Sequence, residues 1–258
     1  MVRASVIGCG NMGSALVRGL SRTGKHTITA YDIDPDALAA VEDHCAETTT
    51  DIERATEPDL VIVAVKPDLV AVVLEDLDLS SDQTLVSIAA GVPTEFIEDR
   101  TDATVVRIMP NLAAETGDMA AAVTGSEIPD EVRALLDDVG EYVEIDEARM
   151  DIATAVNGSG PAFVFYLIGA MKGAGVDAGL EADQAETLAA QTFKGAAETI
   201  LRSEESIEDL IDAVCSPKGT TIEGMEVLWD SAVEAEVGDA VAAAERRSRE
   251  LATEFTDE

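Results

Sequence analysis

The chain has 258 residues, 47% hydrophobic but only 3% aromatic, and its 52 acidic against 17 basic residues give a formal net charge of -35. Such a length holds one large or two modest domains around a core of Ala, Val, Leu and Ile. The negative charge is spread over both halves, which argues against nucleic acid or anionic membrane as partners and suits a protein kept hydrated in concentrated salt, where screening removes self-repulsion.

Ala4-Ser5-Val6-Ile7 reads as a buried strand and Ser14 to Leu20 as a helix. Between them Gly8-Cys9-Gly10-Asn11-Met12-Gly13 is a G-x-G-x-x-G turn, and Thr27 to Tyr31 is a second strand. Strand, glycine turn, helix and strand in that order predict a dinucleotide-binding unit: glycines allow the tight turn, the approach of a pyrophosphate and close helix–strand contact. Asp32 ends the second strand about 20 residues on, where a carboxylate accepts from the ribose 2′-hydroxyl of NAD. Its charge, with Asp34 and Asp36, opposes a 2′-phosphate, so NADH is expected over NADPH.

The alternation continues. Asp36 to Cys45 is helical, and Asp59 to Val65 is an apolar strand running into Lys66-Pro67. Ligands of open parallel sheets sit at the strands' carboxyl ends, so Lys66 should face the cofactor crevice. Further strands are expected at Thr84 to Ile88, Thr104 to Ile108, Ala120 to Thr124 and Tyr142 to Ile145, with a helix from Pro129 to Val139. These repeated βα units imply a doubly wound Rossmann-type α/β domain over residues 1–150.

Residues 151–258 show no strand signal and are read as an all-α domain. After Asn157-Gly158-Ser159-Gly160-Pro161, the run Ala162 to Met171 is apolar all round but too short to span a bilayer. It is therefore expected to be a helix buried on every side, partly by another subunit. Glu181 to Arg202, Ile207 to Val214 and Ala232 to Leu251 are further helices. In Ser216-Pro217-Lys218-Gly219-Thr220-Thr221 a proline and a glycine break the chain just before a new helix. Free N–H groups at such a helix start can hold a small anion, or Thr220 can be a plain N-cap.

His26 and His44 stand beside first-half elements and are expected to face solvent. The cysteines Cys9, Cys45 and Cys215 have no metal-type spacing, and no hydrolase or metalloenzyme motif occurs, so no metal site is expected. Reduced thiols, with no signal peptide and no long apolar run, read as cytoplasmic.

Taken together, Val6 to Gly13, Ala64-Val65-Lys66-Pro67, Ser87 to Val92, Met109-Pro110-Asn111, Gly158 to Phe165 and Cys215 to Ile222 resemble pyrroline-5-carboxylate reductase nearly end to end. The resemblance implies reduction of 1-pyrroline-5-carboxylate to L-proline with NADH or NADPH, and a helical domain that interlocks in a homodimer, with rings of dimers in some members. It implies cofactor contacts at Gly8, Gly10, Asn11, Met12, Gly13, Val65, Lys66 and Pro67. It also implies a substrate-carboxylate loop of Ser216, Lys218, Gly219, Thr220 and Thr221, with Thr221 at the ring nitrogen as the catalytic residue. The chain departs from the family pattern in three places. Asn157 stands for a serine, Leu112-Ala113-Ala114 for Thr-Pro-Ala, and Lys218 for a glycine, which strains the loop if that glycine takes positive φ. Other readings are a reductase of another cyclic imine, a β-hydroxyacid dehydrogenase-like enzyme, and a non-catalytic NAD-responsive regulator. The dehydrogenase would place a lysine four residues before an asparagine in the second domain, but Val176 follows Lys172 and Glu198 follows Lys194 at that distance.

Overall fold

The computed structural model describes residues 1–253 and 255. Its strands are β1 (Arg3–Ile7), β2 (Thr27–Tyr31), β3 (Glu47–Thr49), β4 (Leu60–Val63), β5 (Thr84–Ser87), β6 (Thr104–Pro110), β7 (Met119–Gly125) and β8 (Gly140–Glu144). They form an 8-stranded sheet in the order β3-β2-β1-β4-β5-β6-β7-β8. Every pairing is parallel except β6 with β7. The order reverses at β1, so the crevice between β1 and β4 is the topological switch point where a ligand is expected.

Helices α1 (Asn11–Ser21), α2 (Pro35–Ala39), α3 (Ile52–Ala55), α4 (Val70–Asp76), α5 (Thr94–Glu98) and α6 (Asp130–Asp137) connect the strands. Side chains alternate between two cores because both faces of the sheet are covered. Val6, Ile62 and Ile108 pack with Leu16 and Leu20 of α1 and Leu135 of α6. Ile7, Val61 and Val105 pack on the other face with Leu74 of α4 and Ile97 of α5. Such double coverage is why these strands read as unbroken apolar runs.

Beyond the sheet come α7 (Met150–Ala153), a π-helical turn at Thr154–Gly158, then α8 (Gly160–Asp177), α9 (Ala182–Arg202), α10 (Ile207–Val214), α11 (Thr220–Trp229) and α12 (Val233–Thr253). The chain divides into two compact units: Met1–Ser159 with Val241–Glu258, and Gly160–Ala240. This differs from a boundary at residue 150 for a physical reason. Met150 of α7 is buried against Met109 and Ala122 of the sheet. Ser248 of α12 is buried too, and its hydroxyl donates to Asp151 Oδ1 at 2.7 Å. The chain thus leaves the first unit through one helical segment and returns through another.

Two expectations are corrected, and a third is met only in part. Within one chain α8 has no buried residue, and Phe165 and Tyr166 are 70% and 79% exposed, so its cover must come from another subunit. A helix apolar on all sides needs more cover than the second unit of one chain supplies. The helical run Glu147–Asp177, whose most apolar 18-residue stretch has mean hydropathy 1.3, is also long and apolar enough to cross a membrane, because the sequence run continues through helical residues on both sides. Yet Lys172 pairs with Glu186 of α9, and Gly175 lies so close to α9 that a Cβ there would be 3.2 Å from that of Ala185. Lastly, the His26 side chain is buried with its Nε2 2.8 Å from Asp138 Oδ2, while His44 is exposed.

Candidate active site

In the first unit the glycine turn shows why each glycine is needed. Gly8 has φ +100°, and its N–H donates to the Tyr31 carbonyl at 2.8 Å. A Cβ there would come within 2.9 Å of the Ala64 carbonyl oxygen and of Val65 Cγ1. At Gly13 a Cβ would be 1.9 Å from the Gly8 oxygen. These two glycines are demanded by the chain itself. Gly10 is different: a Cβ there meets nothing within 4 Å. Gly10 is the N-cap of α1, no side chain caps that helix, and its first turn carries no acidic residue. An uncapped helix start with open space in front of a glycine fits a pyrophosphate.

Asp32 is half-buried and already engaged. Its Oδ2 accepts from the Cys9 N–H at 2.7 Å and its Oδ1 from the Asp34 N–H at 2.9 Å. The carboxylate therefore braces the glycine turn against the end of β2, with lone pairs left over for a ribose hydroxyl. Asp34 in turn caps α2, accepting from the Asp36 N–H at 2.9 Å. Cys9 is no nucleophile: burial, then the charge of Asp32 and the neighbouring Cys45, push its thiol up to about 12. Sequence spacing placed Asp32 but not its tie to Cys9.

At the end of β4, half-buried Val65 lies against Gly8, exposed Lys66 is the N-cap of the 3-10 turn Pro67–Leu69, and Pro67 opens that turn. The approach of Gly8 to Val65 and the bond from Cys9 to Asp32 thus bring Gly8 to Gly13, Asp32 and Val65 together at the carboxyl ends of β1, β2 and β4.

The end of β6 holds polar groups that sequence reasoning did not connect. Arg107 is 3% exposed on β6 and pairs with Glu147, while its Nε and Nη2 have no partner among the described residues. Asn111 Oδ1 accepts from the N–H groups of Ala113 at 3.1 Å and Ala120 at 3.3 Å. Asn157, in the π-turn, donates through Nδ2 to the carbonyls of Met109 at 2.6 Å and Ala120 at 2.9 Å. An arginine inside an apolar strand is itself a signal of a buried partner, but nothing local in the sequence identifies Glu147.

In the second unit, α10 is capped by Ser206 and ends before Cys215. The Gly219 N–H donates back to the Ser216 carbonyl at 2.9 Å, closing a turn in which Lys218 has φ 63°. Lys218 is the only non-glycine with positive φ among the described residues. Gly219, not Thr220, is the N-cap of α11, and no side chain caps it. A Cβ on Gly219 would fall 2.4 Å from Ser216 Oγ. Thr220 is exposed, whereas Thr221 is half-buried and lines a mostly apolar cleft of about 440 Å³ with Cys215 and Met225. Ser216, Lys218, Gly219, Thr220 and Thr221 are therefore brought together around one free helix start.

Comparison with known proteins agrees with this build. Residues 147–251 match the family model described as pyrroline-5-carboxylate reductase dimerisation, and residues 3–91 match that of NADP oxidoreductase, coenzyme F420-dependent. A pyrroline-5-carboxylate reductase of Methanosarcina acetivorans is 38% identical over 95% of this chain and 96% of its own length. The chain belongs to the pyrroline-5-carboxylate reductase family. The Escherichia coli member is 34% identical over 95% of this chain and 96% of its own length. A Coxiella burnetii pyrroline-5-carboxylate reductase structure has TM-score 0.88 at 30% identity, covering 97% of this chain and 98% of that one. The Plasmodium falciparum pyrroline carboxylate reductase, solved with NADP bound, has TM-score 0.85 at 27% identity over the same shares. The family places an oxidoreductase with a Rossmann-type domain and a helical dimerisation domain on this chain, and the helical all-round apolar α8 belongs to the latter.

Proposed function

We propose that this chain reduces 1-pyrroline-5-carboxylate to L-proline, with a nicotinamide dinucleotide bound along Gly8, Gly10, Asn11, Met12, Gly13, Asp32, Val65, Lys66 and Pro67. When bound, NAD(P)H supplies the hydride that adds to the imine carbon, and the C=N π electrons pass to the ring nitrogen. The imine nitrogen is already protonated in the reactive substrate, so the protein needs no strong acid. Its task is positioning. The uncapped start of α11 offers the N–H groups of Gly219, Thr220 and Thr221 to the substrate carboxylate, with Ser216 beside them. The Thr221 hydroxyl orients the ring nitrogen. Gly219 carries this reading: it is a helix start left open by its own sequence, in a turn closed by Ser216.

Asp32, Asp34 and Asp36 concentrate negative charge where a 2′-phosphate would sit, which favours NADH over NADPH. The exposed apolar side chains of the second unit, among them Phe165, Tyr166, Leu201 and Trp229, support a homodimer, and rings of such dimers are compatible with it; the three free cysteines fit a cytoplasmic setting. Loss of reduced-nicotinamide absorbance with pyrroline-5-carboxylate in molar salt tests the activity. Thr221→Ala should lower kcat/KM by at least about tenfold with cofactor affinity little changed. Unaltered turnover in that variant removes Thr221 from the mechanism, and a higher kcat/KM with NADPH removes the argument from Asp32.

A further inference from the structure

The ladder between β6 and β7 ends at the pair Pro110 and Ala121. Proline has no N–H, so main-chain pairing cannot continue past it. The next residue of β7, Ala120, has its N–H bonded to Asn111 Oδ1 and its carbonyl to Asn157 Nδ2. Two side-chain amides stand in for the missing stretch of sheet. Asn157 also reaches the Met109 carbonyl, at 2.6 Å.

The same segment is fastened to β6 at its other end. Glu147 pairs with Arg107, and Met150 packs on Met109 and Ala122. From Glu147 to Asn157 the chain is stitched to one face of β6, and the last stitch comes from a π-helical turn, a geometry that recurs at functional sites. The Asn157 Oδ1 is buried with no hydrogen-bond partner among the described residues. Both partners of the Nδ2 are carbonyl oxygens, which fixes which end of the amide is the donor. The two donations are thus kept although they strand an acceptor, a cost that stability alone would not favour.

Position says what the stitches hold. With the switch point between β1 and β4, Asp32 and β2 lie on the adenosine half of the crevice, and the carboxyl ends of β4, β5 and β6 lie on the nicotinamide half. We propose that Asn157 is a positioning residue for hydride transfer, its amide fixing Met109-Pro110-Asn111 at the end of β6 in the shape that the nicotinamide half requires. The inference rests on the reductase reading, and the two fail separately: an inactive parent enzyme fails that reading, whereas loss in the variants alone concerns Asn157.

The test compares Asn157→Ala, Asn157→Ser and Asn157→Asp in the full chain, each measured for kcat, for KM with NADH, for thermal midpoint and for NADH binding by fluorescence. Alanine removes both donations and should lower kcat by about tenfold or more, since small misplacements of reacting groups cost that much. NADH affinity should move less than about threefold, and the midpoint should fall modestly, since the Met109 and Ala120 carbonyls lose their donor while the stranded oxygen goes too. Serine restores one donor and should recover most of the kcat. Aspartate, ionised, can donate to neither carbonyl, so its kcat relative to the parent should rise as pH falls and the carboxyl gains a proton. Equal kcat in the alanine and serine variants, or a loss that merely follows the unfolded fraction, overturns the proposal. So does a flat pH ratio for the aspartate variant; if that variant does not fold, the alanine–serine comparison decides.

Discussion

Lys218 gives the sharpest quantitative test, because a lysine at φ 63° occupies a backbone region built for glycine. Left-handed backbone costs an L-residue about 1–2 kcal/mol, which Lys218→Gly would relieve. Glycine loses more entropy on folding, returning about 0.5–1 kcal/mol of that gain. The balance is a stabilisation of about 0.5–1 kcal/mol, or roughly 1–4 °C in Tm for a chain of this size. The charge is a separate matter. A cation about 7 Å from a carboxylate contributes about 0.6 kcal/mol in water, near threefold in KM. In molar salt, with a screening length of about 3 Å, almost none of this survives. Lys218 is exposed and starts no helix of its own, so it is read as a solvated turn residue. Lys218→Gly should therefore raise Tm modestly and leave KM for pyrroline-5-carboxylate unchanged in molar salt, with a rise of at most about threefold in dilute buffer. Differential scanning calorimetry and steady-state kinetics at both salt concentrations give the answer. A lower Tm would refute the strain argument, and a severalfold rise in KM in molar salt would show that the lysine touches the substrate directly.

Three other outcomes follow from the site. Asp32→Asn turns an NH2 toward a backbone N–H that the carboxylate now accepts from, so it should cost about 1–3 kcal/mol in denaturant unfolding besides any change in cofactor ratio; unaltered stability would mean that the brace on Cys9 is dispensable. Gly13→Ala places a Cβ 1.9 Å from the Gly8 oxygen and should abolish NADH binding, checked by fluorescence titration, and retained affinity would show that α1 can move away. Asp138 is held below the ordinary carboxylate value of 3.8, first by Lys25 and then by His26 against the opposing effect of burial. Because the folded pKa is depressed, this stabilisation is present above the ordinary value and is lost as pH falls through the depressed one. Lys25→Met should therefore begin to lose stability at higher pH than the parent during acid titration, and identical acid limbs would discount the pair.

The first half was legible because its strands are buried on both faces, so β1, β4 and β5 print as apolar runs whatever the topology. β3 escaped notice: Glu47-Thr48-Thr49 is three residues long at the sheet edge, where burial writes no pattern. The glycine turn was readable since Gly8 and Gly13 answer to steric limits a few residues away. Interactions between distant positions were not. His26 looked like surface because Asp138, which pairs with it, lies far along the chain, and Asn157 showed only as a departure from the family serine, with nothing local to point at the carbonyls of Met109 and Ala120. α8 was legible in amount only: its composition records how much apolar surface must be covered, but not which molecule covers it.

The return of α12 to the first unit has a consequence for how the protein is made. Leu251 packs where Gly91 leaves no room for a side chain, and Phe255 meets the Phe96 ring edge-on with centroids 5.1 Å apart. These contacts come from residues synthesised after the helical insert, yet they complete the unit whose sheet is synthesised before it. The nascent sheet must wait, with the surface around Phe96 bare, until the whole helical insert has emerged. A nascent chain stalled short of Val241 should then be more open to protease around α5 than the finished protein, although every strand has already been made.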